Sequence, residues 1–170
     1  MNSSAELTAH SLPAVAFAEY ASTSPFRPPD KIYCELGHAL VARAQAQADD
    51  GKVEKAQKLY GEASYAFQEA LRWSPDSAAL HFYTAQVRQQ LGRSAAALQS
   101  YIEATAYAPQ LATLILPHAH HVLTPDLARE LPDPVQRWQA LLNEAAGGAE
   151  PIANWAALHS FTARVHLYKG

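Results

Sequence analysis

From residue 30 onward, apolar residues recur at spacings of three and four, and Gly and Pro punctuate the pattern. Ala97, Leu98, Tyr101, Ile102 and Thr105 show it most clearly and mark one buried helical stripe. Asp30 is placed to cap a first helix running to about residue 48, where Asp49-Asp50-Gly51 supplies a turn. A second helix is predicted over 52–73, stopped by Ser74-Pro75 because the residue before a proline is driven out of the α region. Asp76 or Ser77 caps a third, ending near Leu91-Gly92, and Ser94 caps a fourth, ending at Ala108-Pro109. No segment sustains the alternation of a half-buried strand.

The flanks follow other punctuation. Residues 1–29 form a leader, with a short helix predicted over 13–20 and a proline-containing linker over 22–29. After Pro109 an apolar run over 110–123 contains Pro117, which is expected to kink it or to start a new turn. Thr124-Pro125-Asp126 opens a short helix reaching residue 131. Asp133-Pro134 opens another, with Val135, Trp138, Leu141 and Leu142 on one face and Gly147-Gly148 as its stop. Pro151 opens the last, whose stripe is Ile152, Trp155, Leu158, Phe161 and Val165. Trp138 and Trp155 read as core anchors, since both lie on apolar stripes.

Composition agrees with helix packed on helix. Of 170 residues 35 are alanine, the strongest helix former and one small enough to let helices approach. The 13 basic residues are scattered among 16 acidic ones, net charge −3, and build no stripe for a nucleic-acid backbone. Pro, His or Gln breaks every apolar run well short of the roughly 20 residues that span a bilayer, so no membrane insertion is expected. The first ten residues lack a basic segment followed by an apolar one, so no signal peptide is read. The single cysteine, Cys34, fits a reducing compartment, and the expected location is the cytoplasm.

The most specific signal is a repeat. Ala63, Phe67, Ala70 and Pro75 stand at spacings of four, three and five, and Ala97, Tyr101, Ala104 and Pro109 stand at the same spacings. The second proline stands at an offset of 34 from the first, and Gly92 lies 17 before it. Upstream, Tyr33, Leu36-Gly37 and Leu40 supply the matching first-helix half. This pattern resembles the tetratricopeptide repeat, a 34-residue helix–turn–helix unit. The resemblance implies an all-α fold of antiparallel helix-hairpin repeats, an α-solenoid with C-terminal capping helices. Residues 30–109 then form two hairpins, and 110–170 a degenerate third unit plus capping helices.

The earlier unit departs from the family. Gly51 stands at an offset of 14 from Gly37 where the family has 7, and Pro75 at 24 from Gly51 where it has 17. Each arm is longer by about two turns, roughly 10 Å, and equal insertions keep an antiparallel hairpin in register. In the later unit Thr84-Ala85 replaces the Leu-Gly pair and Arg88 stands where an aromatic is usual. Ala85 and Ala104 are expected to be close-approach positions between helices.

In that family the first helix of each unit lines a concave groove for an extended peptide or a partner helix. The resemblance assigns Lys31, Cys34, Glu35, His38, Phe82, Tyr83, Gln86 and Gln89 to such a groove. Members that clamp a terminal carboxylate do so with basic residues and Asn. Here Cys34, His38, Tyr83, Thr113 and Pro117 occupy those places, so that mode is not expected.

Other chemistry has weaker footing. His118, His120 and His121 form a metal-like cluster, but a third ligand at helical spacing is missing, and they read instead as polar residues at a groove or interface. Cys34 and His38 share a helix face, as a thiolate–imidazole pair would, yet a small cysteine in a helix pair explains the spacing better. Asp49-Asp50 reads as capping, and no phosphate-binding glycine loop or serine elbow occurs. The expected function is a non-catalytic adaptor, assembly factor or chaperone holding a protein or peptide client, without cofactor or metal. A chaperone of the type III secretion kind, or a permanent accessory subunit of an enzyme complex, are the alternatives. Assembly of identical chains is left open.

Overall fold

A computed structural model describes residues 28–130, together with 140, 160, 163, 164 and 166–168. Of the helices opened by Pro134 and Pro151 only 140 and 160, 163, 164 and 166–168 are described, and these are helical; the expected helix over 13–20, and Trp138 and Trp155, lie outside the described residues. Within them six α-helices follow one another: α1 (Pro29–Asp49), α2 (Val53–Trp73), α3 (Ala78–Gln90), α4 (Ser94–Tyr107), α5 (Ala112–Val122) and α6 (Pro125–Glu130). A 3₁₀ turn, Pro109–Leu111, joins α4 to α5. Among the described residues there is no strand, and none of the helices is long and apolar enough to cross a membrane. The fold is all-α.

The two tight turns share one construction. Gly51 and Gly92 take the left-handed conformation, φ 74° and 70°, which glycine adopts without a Cβ penalty. Around Gly51, the Lys52 amide donates to the Gln47 carbonyl at 2.8 Å and the Gly51 amide to Ala48 at 2.9 Å. Around Gly92, the Arg93 amide donates to Arg88 at 2.9 Å and the Gly92 amide to Gln89 at 3.0 Å. Both pairs are Schellman closures of the helix end. Lys52 and Arg93 follow with nearly equal angles, φ −87° ψ 62° and φ −89° ψ 64°.

The proline-terminated ends match as well. Ser74 has φ −134° and ψ 72°, and Ala108, the residue before the second proline, has φ −141° and ψ 73°. Adjacent helices pack as hairpins, an arrangement consistent with a helical repeat. The first hairpin has the long arms its glycine and proline spacings require, 21 residues each, against 13 and 14 in α3 and α4.

Two expected details differ, both at helix starts. α1 begins at Pro29 after Pro28, without a side-chain cap, and Asp30 instead accepts the Ser74 hydroxyl at 2.9 Å. Proline at the first helical position needs no donor there, so the helix starts at Pro29 and Asp30 falls inside its first turn. Ser94 is likewise the first residue of α4 and not its cap, because Arg93 closes α3 and opens α4 at once. α5 runs through Pro117 without a new element starting there. Pro117 and Thr113 are both exposed, so the Thr113 carbonyl that loses its helical donor lies on the wet side. The expected cap at Ser77 is present, its Oγ accepting the Leu80 amide at 3.4 Å, and at the start of α6 Thr124 Oγ1 accepts the Leu127 amide at 3.2 Å.

Two apolar clusters hold the stack. The first joins α1 and α2 through Ile32, Tyr33, Leu40, Tyr60 and Phe67, and takes in Leu80 and Val87 of α3. The second joins Ala85 of α3 to Leu98, Tyr101 and Ala104 of α4, Ile115, Leu116 and Ala119 of α5, and Leu127 of α6. α3 therefore packs on both sides. Ala85 and Ala104 are fully buried, as is Ala119, which stands one repeat length after Ala85. Arg88 reaches α4, donating to Ser100 Oγ at 2.6 Å and to the Ala96 carbonyl at 3.2 Å. Burial lowers its pKa. Hydrogen bonds thus link α3 to α4 where the family pattern expects an aromatic contact.

Gly61 contrasts with these close approaches. It lies exposed within α2, and a Cβ built on it meets nothing within 4 Å. Gly61→Ala is expected to raise stability by about 0.5–1 kcal/mol by restricting the unfolded chain and favouring helix. A thermal melt of the variant at or below that of the parent would show that α2 is not a helix at this point.

Candidate functional site

A groove of about 340 Å³ runs across the first helices of the hairpins. α1 contributes His38, Val41 and Gln45, and α3 contributes Tyr83, Gln86, Val87, Gln89 and Gln90. Tyr60 and Phe67 of α2 and His118 of α5 complete the lining. Helices α1 and α3, the leading arms of the two hairpins, supply eight of its residues, while α2 fills the gap between them and α5 adds one.

Aromatic rings run from this lining into the core behind it in one connected chain. His38 meets Phe67 edge-on at 5.3 Å and Tyr83 at 4.3 Å between ring centroids. Tyr83 lies 6.1 Å from Phe82, which in turn meets His118 edge-on at 5.2 Å and Tyr101 at 5.8 Å. Centroid separations of this size with inclined planes are the favourable geometry for such pairs. Tyr101 is fully buried, and its hydroxyl donates to Gln89 Oε1 at 3.0 Å. Burial pushes the Tyr101 phenol up to about 12, so it stays a donor at any ordinary pH.

None of the eleven lining residues is Asp, Glu, Lys or Arg. Four are glutamines, each able to donate and accept without formal charge. The surface can therefore hold a polar backbone and pack flat groups, and it offers no ionic selection.

Of the residues assigned to a groove from sequence, His38, Tyr83, Gln86 and Gln89 lie together on this lining. Lys31, Cys34, Glu35 and Phe82 are not on it. Lys31 and Glu35 are exposed nearer the start of α1, and Cys34 is half-buried. Phe82 is half-buried against the second cluster, turned toward Tyr101 and His118. Gln45, Tyr60 and Gln90 join the groove without a sequence pattern that assigns them to it, and so does His118, which the sequence places at a groove or interface only as part of a histidine run. The 34-residue offset does not predict it, since it carries the buried Thr84 onto His118. Gln45 and Tyr60 sit in the lengthened part of the first hairpin, where the family pattern gives no guide.

The candidate chemical groups are placed as follows. Burial raises the Cys34 pKa, with Asp30 and Glu35 adding to it, which disfavours a thiolate. His118 packs against Phe82 while His121 is exposed, and burial lowers the pKa of half-buried His120. Among the described residues no group of three or more His, Cys, Asp or Glu converges to hold a metal. His81 is nearly buried and structural: its Nε2 is 2.8 Å from the Pro75 carbonyl, its Nδ1 is 3.1 Å from Glu103 Oε2, and its ring stacks on Tyr107. No protein-family model matches the chain, and no curated protein or solved structure matches it significantly.

Proposed function

We propose that the chain is a tetratricopeptide-like helical repeat domain that acts without catalysis, as an adaptor, assembly factor or chaperone holding a protein or peptide client. The groove's lining carries this reading: an aromatic floor edged by glutamines, free of Asp, Glu, Lys and Arg, built from α1, α2, α3 and α5. Aromatics in such a setting supply binding hot spots, and glutamines bond to a client's backbone without requiring a particular charge. The matching turns and the 34-residue proline spacing support the repeat assignment.

The test uses His38 and Gln86, since His38 is exposed and Gln86 half-buried, whereas Phe82 and Tyr83 also pack against their neighbours. Clients captured from extracts of the source organism are identified by mass spectrometry and their affinities measured. His38→Ala combined with Gln86→Ala is expected to weaken a client at least about tenfold, or about 1.4 kcal/mol. The melting temperature should fall only modestly, because His38 is exposed although its ring rests on Phe67 and Tyr83. Unaltered affinity would remove the groove from the functional reading.

A further inference from the structure

We propose that His81 is a proton-dependent clasp across α3: doubly protonated, its ring ties the turn that ends the first hairpin to α4, and losing one proton opens the tie.

Both ring nitrogens face groups that only accept. Nε2 lies 2.8 Å from the carbonyl of Pro75, in the turn between α2 and α3, and Nδ1 lies 3.1 Å from Glu103 Oε2 on α4. Neither a carbonyl nor an ionised carboxylate can donate, so each contact is a hydrogen bond only when that nitrogen carries a proton. A neutral imidazole has one N–H for the two places, and the imidazolium fills both. The His81 side chain is 11% exposed, so a nitrogen left without a bond has little water to turn to.

The surroundings favour the cation. The ring stacks on Tyr107 of α4 with centroids 5.3 Å apart and planes 16° apart, within the reach of a cation over an aromatic face. Gln99 Nε2 donates to the other oxygen of Glu103 at 3.1 Å, which favours the ionised carboxylate. Arg88, on the same helix as His81, is a second cation acting on Glu103, and its guanidinium donates to Ser100 Oγ and the Ala96 carbonyl.

The contacts continue past the turn. Ser74, next to Pro75, donates its hydroxyl to Asp30 Oδ2 of α1 at 2.9 Å. α1, the turn, α3 and α4 are thereby joined in series, and in that series the His81 link is the one that depends on a proton exchanged near neutral pH. When the proton leaves, Nε2–H stays with the closer acceptor and Nδ1 turns a lone pair toward a carboxylate. Glu103, whose side chain is 39% exposed, then has room to swing into water. Proton loss removes a bond that only the folded chain makes. The contribution of the clasp is therefore greatest in mildly acidic solution and falls as the pH rises through the histidine range, around 6.5.

The experiment is a double-mutant cycle in the full chain, His81→Gln against Glu103→Gln, read by urea unfolding at about pH 5.5 and about pH 8, either side of that range. His81→Gln keeps a donor for Pro75 and gives up the one for Glu103, and the other histidines cancel because all four chains share them. The coupling at the lower pH is expected to be worth roughly threefold or more in the folding equilibrium constant, and to vanish at the higher pH. A second arm needs only Glu103→Gln, a change at a partly exposed position, and follows the His81 ring by NMR. A neutral amide does not attract the cation, so the titration midpoint of the ring should move to lower pH. Coupling of equal size at the two pH values, or a His81 titration indifferent to Glu103→Gln, would each overturn the clasp.

Discussion

Phe67→Ala is expected to remove about 3–5 kcal/mol of folding stability, the usual cost of truncating a fully buried phenylalanine. Phe67 is 1% exposed and stands where three helices meet. It lies on α2, its ring meets His38 of α1 at 5.3 Å and Tyr83 of α3 at 5.7 Å, and it fills the space over Gly37. Its neighbours cannot collapse into the cavity cheaply, because they belong to different helices and must keep their other contacts. For a domain whose whole stability is of the order of 5–15 kcal/mol, such a loss is a large fraction. Urea unfolding should show a much lower midpoint with a similar slope. A shift worth under about 1 kcal/mol would mean that Phe67 is not at the junction of the two hairpins.

Phe67 also marks how much of this fold is legible in the sequence. The helix ends can be read because their signals are local: Gly51 and Gly92 need the left-handed region, and Pro75 and Pro109 exclude the residue before them from a helix. The starts are less legible. Pro29 opens α1 with no donor to satisfy, and Arg93 closes α3 and opens α4 at once, so neither Asp30 nor Ser94 has a capping role to fill. No pattern of side chains announces that economy. The equal lengths of α1 and α2 follow from the glycine and proline spacings alone.

The site is legible only in part, and for a geometric reason. Phe82 and Tyr83 are neighbours in sequence, and successive helical residues point about 100° apart. Both cannot face one groove equally. The structure gives the groove to Tyr83 and turns Phe82 toward Tyr101 and His118. In the sequence His118 stands out for its ring nitrogens, as one of three neighbouring metal-type ligands. What places it is the register of α5 against α3, a tertiary fact that a run of histidines does not encode. The position of Gln89 assigns it to the groove, but the bond from Tyr101 that orients its amide spans 12 residues and emerges only from the packed hairpin.

Gly37→Ala is expected to destabilise the chain although alanine is the better helix former. On propensity alone the change inside α1 should gain about 1 kcal/mol. The space denies it. A Cβ at Gly37 would stand 2.5 Å from Cε1, 2.7 Å from Cζ and 2.8 Å from Cδ1 of Phe67. Those are separations that real Cβ atoms do not adopt, so either the ring or the helix must move. The ring is 1% exposed and wedged against His38 and Tyr83, which leaves it nowhere to swing. Overpacking of this kind costs about 1–3 kcal/mol. Gly61→Ala in α2, where nothing lies within 4 Å, provides the opposite sign in the same fold. The pair separates helix propensity from packing: if both variants gain stability, α1 and α2 do not approach at Gly37. A further arm fixes the cause, because Phe67→Leu shortens the obstructing ring. Combined with Gly37→Ala it should destabilise by less than the two single changes added, a coupling of about 0.5–3 kcal/mol expected only of residues in contact. Strict additivity would mean that the alanine methyl clashes with something other than Phe67.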